Sequence, residues 1–128
     1  MGAARVRRRL IRIVAGELAQ QQVDSIVLPP EGAPGEDGVR ECARLGLELA
    51  AQRGCRSAAL SDLGAGSLPL QRCAEILLEV ARAHLAGETS LEEIRFVLPD
   101  EPSFRVFEMV DDAARVTEQM SRLRGRKP

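Results

Sequence analysis

Ser57 to Pro69, SAALSDLGAGSLP, joins a short apolar run to Gly64-Ala65-Gly66 and then, without a pause, to a long segment of helical spacing. A strand that feeds a glycine turn into a helix aims backbone N–H groups at one point beside the positive helix end. That geometry suits phosphate. The tripeptide alone equally fits a plain tight strand-to-helix turn, so its meaning depends on its neighbours.

Downstream, Pro69 suits a first helical turn, and Ala74, Leu77, Leu78, Ala81 and Leu85 form an apolar stripe that ends before Gly87. Ile94 to Leu98 reads as a fourth strand, and residues from about Ser103 to Leu123 read as a last helix. In that helix Phe107, Val110, Ala114, Val116 and Met120 are available to face a core. Upstream, Arg5 to Val14 has an alternating start and an apolar finish, broken by Gly16, and Val23 to Leu28 is a second short strand closed by Pro29-Pro30. Glu31 to Gly38, EGAPGEDG, reads as a loop. From about Asp37 to Arg53 the residues Val39, Cys42, Ala43, Leu45, Gly46, Leu49 and Ala50 recur at helical spacing, with Asp37 as N-cap and Gly54 just past the end.

Strands alternating with helices, in short uninterrupted apolar runs, predict an α/β fold with a mainly parallel sheet sandwiched between helices. Such sheets bind ligands beyond the carboxyl ends of their strands. Those ends are Ala15 to Leu18, Leu28 to Gly38, Asp62 to Leu68 and Pro99 to Phe104.

At 128 residues the chain is expected to form one domain over 1–128, with a basic tail at 122–128. With 45% hydrophobic and 29% charged residues and a net charge of −1, it resembles ordinary globular proteins, and no apolar run reaches the roughly 18 to 20 residues of a membrane span. The start, MGAARVRRRLIRIV, lacks a clean apolar core and a cleavage pattern and reads as an arginine-rich strand, so the expected location is cytoplasmic. Cys42, Cys55 and Cys73 match neither a CxxC pair nor zinc-ligand spacing and read as small packing residues. His84 reads as a helix-surface or packing residue, and no catalytic group, metal site or cofactor is implied. With no Trp, no Tyr and three Phe, the aromatic stacking used for single-stranded nucleic acid is in short supply. Arginines crowd both ends; should the ends meet, they would form a basic patch.

The order of the motifs resembles the macro domain family. The resemblance rests on Gly16-Glu17-Leu18-Ala19 after the first strand, then Val23-Asp24-Ser25-Ile26-Val27, then Ser57-Ala58-Ala59-Leu60 with Leu63-Gly64-Ala65-Gly66 and a Pro-initiated helix, and last Ile94-Arg95-Phe96-Val97-Leu98. It implies a three-layer α/β/α module that binds ADP-ribose or a related phosphorylated nucleotide. The residues it assigns to the ligand are Glu17, Leu18, Gly64, Ala65, Gly66, Ser67 and Leu68, with Phe104 as an aromatic wall beside a base.

The chain also departs from the family pattern. Glu17 stands where the family has an adenine-binding Asp, and Leu28-Pro29-Pro30-Glu31 replaces Asn-Ala-Ala-Asn, whose second Asn faces the distal ribose. The glycine-rich run that follows survives at most as Gly35-Glu36-Asp37-Gly38-Val39, with two carboxylates on the path of an anion. The Gly64 loop is shorter and has lost its aromatic. One helix–strand unit is missing before Ser57, which would expose a sheet edge and makes a homodimer an expectation. Two readings stay open: a nucleotide-binding module with a weakened site, and a degenerate macro fold acting as a non-catalytic structural or assembly module. Were the chain an enzyme, the resemblance would make it an ADP-ribosyl hydrolase.

Overall fold

A computed structural model describes residues 9–32, 34–63 and 68–124. In chain order it contains strand β1 (Leu10–Ala15), a 3-10 turn (Leu18–Gln20), strand β2 (Ser25–Ile26), helix α1 (Gly35–Gln52), strand β3 (Ser57–Leu60), helix α2 (Leu70–Ala86), strand β4 (Glu93–Leu98) and helix α3 (Glu101–Arg124). The sheet order is β1-β4-β3-β2, and every neighbouring pair is parallel. The α/β class and the parallel sheet expected from the alternating pattern are therefore present.

Register explains which residues form the core. Ile11 and Ile13 of β1 stand opposite Ile94 and Phe96 of β4, which in turn stand opposite Ala58 and Leu60 of β3. Because strand side chains alternate, these residues share one face. They join Val39, Ala43, Leu47 and Ala50 of α1, the apolar stripe of α2 and Phe107 of α3 in one buried cluster. Phe96 and Phe107 meet with ring centroids 5.6 Å apart. The opposite face bears Arg12, Glu93 and Arg95 and is crossed by the connection from β1 to β2. On it Arg95 bonds Glu93 (2.6 Å) and the Gln21 side chain (3.0 Å), while Asp24 accepts from the Arg56 amide at 2.8 Å. All three helices thus pack on the first face, and the second is covered by this connection with its 3-10 turn.

Three boundaries differ from expectation. α1 starts at Gly35 with Pro34 at the N-cap position, so Asp37 lies in the first turn and does not cap it. Proline fixes a helix-compatible φ, and Glu36 and Asp37 favour the positive helix end, which is why part of EGAPGEDG is helical. The second strand shrinks to Ser25–Ile26, although the Val27 amide still reaches the Ala59 carbonyl at 2.9 Å before the prolines end the ladder. Val116 and Met120 do not face a core: both are at least half exposed.

No disulfide joins the cysteines; Cys73 is buried, its Sγ 2.7 Å from the Asp62 carbonyl, and the other two are half-buried. His84 is half-buried near the end of α2, its Nε2 2.7 Å from the Thr89 hydroxyl, and burial pushes its pKa down. No helix among the described residues is long and apolar enough to cross a membrane.

Candidate functional site

All four strands point their carboxyl ends to one edge, because every pairing is parallel. That edge collects Gly16 to Leu18 after β1, Leu28 to Gly32 after β2, Asp62 and Leu63 after β3 and Pro99 to Phe104 after β4. Gly16 turns the chain away with a φ of 152°, a region glycine enters freely, and its amide holds the Leu98 carbonyl at 3.0 Å. The turn ties the ends of β1 and β4 together.

Glu17 follows directly. Its carbonyl accepts from the Gln20 amide and from the Gln21 side chain, both at 3.1 Å, while its carboxylate is exposed and caps nothing. Leu18 is half-buried in the 3-10 turn. Leu68 is half-buried and packs against the core cluster, just ahead of Pro69 and α2. Gly64, Ala65, Gly66 and Ser67 lie outside the described residues. Leu63, immediately before them, adopts a φ of 26°, a left-handed value that costs a branched side chain free energy.

Phe104 is half-buried on the first turn of α3, against the core cluster. It lines a hollow of about 440 Å³ with Ala15, Pro99, Asp100, Glu101, Arg105 and Glu108, and there Arg105 pairs with Glu101 at 2.6 Å. Of the expected ligand residues that are described, Phe104 alone reaches this hollow; Glu17, Leu18 and Leu68 sit elsewhere along the same edge. Such a volume suits a base or nucleoside.

The electrostatics of the edge are acidic. Asp100 caps α3: its Oδ1 accepts from the Ser103 amide at 2.8 Å, and this bond lowers its pKa. The anion position at that helix end is thus filled by the chain's own carboxylate. Burial raises the pKa of Asp62, and the nearby Asp100 charge adds to the effect. The N-terminus of α2 is different, since Pro69 at its N-cap position makes no side-chain cap bond.

Asp62, Asp100, Glu101 and Glu108 carried no weight in the sequence reading. Asp100 had a recognisable signal, an Asp three residues before Ser103 at a helix start. Asp62 had none, because its burial depends on how β3 and β4 pack. Among the described residues no group of His, Cys, Asp and Glu could hold a metal ion.

No protein-family model and no curated protein sequence matches the chain. Solved structures do. A Trypanosoma brucei macrodomain in complex with ADP superposes with a TM-score of 0.71 at 18% identity, covering 78% of this chain and 68% of that one. A substituted Oceanobacillus iheyensis macrodomain gives a TM-score of 0.75 at 12% identity, covering 89% and 97%. The T. brucei macrodomain with ADP-ribose aligns over 58% of this chain and 33% of that one, at 27% identity and a TM-score of 0.55. With its parallel β1-β4-β3-β2 sheet and three helices, the chain has the macrodomain fold, in a shortened form with little sequence in common with those structures.

Proposed function

We propose that the chain binds ADP-ribose or a related adenine nucleotide weakly, at the carboxyl edge of its sheet. The observation that carries this reading is the hollow at the ends of β1 and β4, where the Phe104 ring stands beside Ala15 and Pro99. Parallel α/β sheets bind ligands at this edge, and Trypanosoma brucei macrodomain structures are in complex with ADP and ADP-ribose. In this reading Phe104 stacks on the base, and Glu17 and Leu18 border it. In the same reading the phosphates lie toward the N-terminus of α2, which Gly64-Ala65-Gly66-Ser67-Leu68 precede in the sequence. The left-handed Leu63 supports the assignment, because strained backbone concentrates at functional sites.

Binding is weak in this account because carboxylates surround the edge. Asp100 and Glu108 in the hollow, and Asp62 near Asp100, repel a diphosphate, Glu101 is paired with Arg105, and Asp100 already occupies the N-terminus of α3. The same observation favours a second reading, a macro fold kept as a non-catalytic structural or assembly module. Titration calorimetry with ADP-ribose separates the two. Heat with a dissociation constant between about 10 μM and 1 mM, lost in Phe104→Ala and Gly66→Glu, supports binding; no heat at millimolar ligand leaves the structural module.

A further inference from the structure

The structure assigns a second role to α3: its outer stripe is the interface on which two copies of this chain pair. Met109, Ala113, Val116, Met120 and Leu123 are spaced 4-3-4-3, the repeat of a helical seam that faces another helix. The spacing is matched by exposure. Met109, Val116, Met120 and Leu123 are each 50% to 63% exposed, and Ala113 is exposed as well.

The stripe faces away from the core, since Val116 is nine residues and so about half a turn round the helix from buried Phe107, and α3 also outruns the sheet. α3 has 24 residues and therefore runs roughly 36 Å, whereas the six residues of β4 span about 20 Å. The helix starts at the carboxyl end of β4 and runs back past the amino end of β1, where Arg115 and Arg122 share a hollow with Arg9 and Leu10. Its last turns have no sheet beneath them. Between this overhang and α2 opens a groove of about 990 Å³, floored by Ala113, Ala114 and Thr117 and walled on α2 by Glu75 and Glu79. Small residues on the floor leave room for a helix to approach.

A second copy fits this surface by both area and charge. The four large side chains expose about 400 Å² of apolar surface per copy, close to the largest patch a soluble monomer carries and enough for the apolar centre of a modest dimer. Along α3 the acidic residues Glu108 and Asp112 sit before the stripe's centre and Arg122 and Arg124 after it. Glu108, Asp112 and Arg124 have no ion-pair partner among the described residues. An antiparallel pair places the basic end of one helix beside the acidic end of its mate and near the Glu75 and Glu79 wall; a parallel pair opposes like charges. In that antiparallel register small Ala113 meets large Leu123, and Val116 meets Met120. The nucleotide edge stays open, since the overhang lies at the opposite end of the sheet.

Sedimentation velocity of the 128-residue chain across micromolar to submillimolar concentrations tests the assignment. The expected result is a dimer whose dissociation constant rises at least about a hundredfold in Val116→Glu and in Met120→Glu, because each change buries two unpaired charges. Both positions are exposed in the monomer, so far-UV circular dichroism stays that of the parent. A charge-reversed Arg122→Glu, Arg124→Glu variant weakens pairing about tenfold, and more so at low salt. A parent chain that stays monomeric up to several hundred micromolar overturns the assignment. So does a dimer that persists in both glutamate variants, which would place the contact elsewhere, such as the edge at β2.

Discussion

Gly46→Ala adds one methyl group where α1 crosses the end of β2, and the structure leaves no room for it. A Cβ at position 46 would stand 2.5 Å from Val27 Cγ1 and 2.9 Å from Cγ2. Both contacts are to the two methyls of a β-branched side chain, whose stiff χ1 offers no rotamer that clears them. The helix or the strand must shift instead. Overpacking of this kind costs about 1–3 kcal/mol, and an immovable neighbour argues for the upper end, about 3 kcal/mol. Alanine in place of a mid-helix glycine returns about 1 kcal/mol of helix propensity. The net loss is about 2 kcal/mol, or roughly 8 °C in Tm for a domain of this size. Urea denaturation followed by circular dichroism measures it. The cycle with Val27→Ala isolates the cause: removing the two methyls makes room, so the double variant is more stable than the sum of the single losses by at least about 1 kcal/mol. A neutral or stabilised Gly46→Ala would refute the packing argument, and so would strict additivity with Val27→Ala.

Asp111 is 7% exposed and accepts from Arg82 and, at 3.0 Å, from Arg115; Asp111→Ala leaves Arg82 half-buried without its partner and costs about 3 kcal/mol. Glu101→Ala, which breaks an exposed pair with Arg105, costs no more than about 0.5 kcal/mol in the same urea titration. Asp100→Ala removes the cap of α3 and lowers stability at pH 7 in the same titration. Its lowered pKa fixes the sign: the cap's contribution is present above the unfolded carboxylate pKa of about 3.9 and is lost as pH falls below it, so parent and variant converge in acid. Asp62 behaves in the opposite sense. Its pKa is raised, so its penalty on folding grows as pH rises through the carboxylate range, and Asp62→Asn is more stable than the parent at pH 7 but not at pH 3 by thermal melts.

The elements of this fold were legible because the apolar runs and helical stripes of the chain agree with one another. Leu77, Leu78 and Ala81 recur with a period that only a helix satisfies, and Ile94, Phe96 and Leu98 alternate as a strand must. Val116 and Met120 misled for a physical reason. Both are apolar and share a helix with Phe107, but at nine and thirteen positions from it they lie roughly 180° and 220° round the helix, on the face opposite the buried Ser103, Phe107 and Asp111. The start of α1 was hidden by composition, since a Gly- and Pro-rich stretch with two acids is equally a loop or a helix start. At the site, Phe104 was identifiable as the aromatic after the last strand, and it does line the hollow. Asp100, Glu101, Arg105 and Glu108 of that hollow lie close together in the sequence, but that Asp62 is half-buried near Asp100 follows only from how β3 packs against β4.

The central claim, that the carboxyl edge of the sheet holds an adenine nucleotide, is tested most directly by titrating ADP-ribose into the isotopically labelled chain and mapping amide shift changes. The account predicts changes concentrated at Glu17, Leu18, residues 64–68 and Phe104, with the Val116 to Leu123 overhang unmoved. Unchanged spectra at millimolar ADP-ribose, or changes confined to the overhang or the outer face of the sheet, would contradict it.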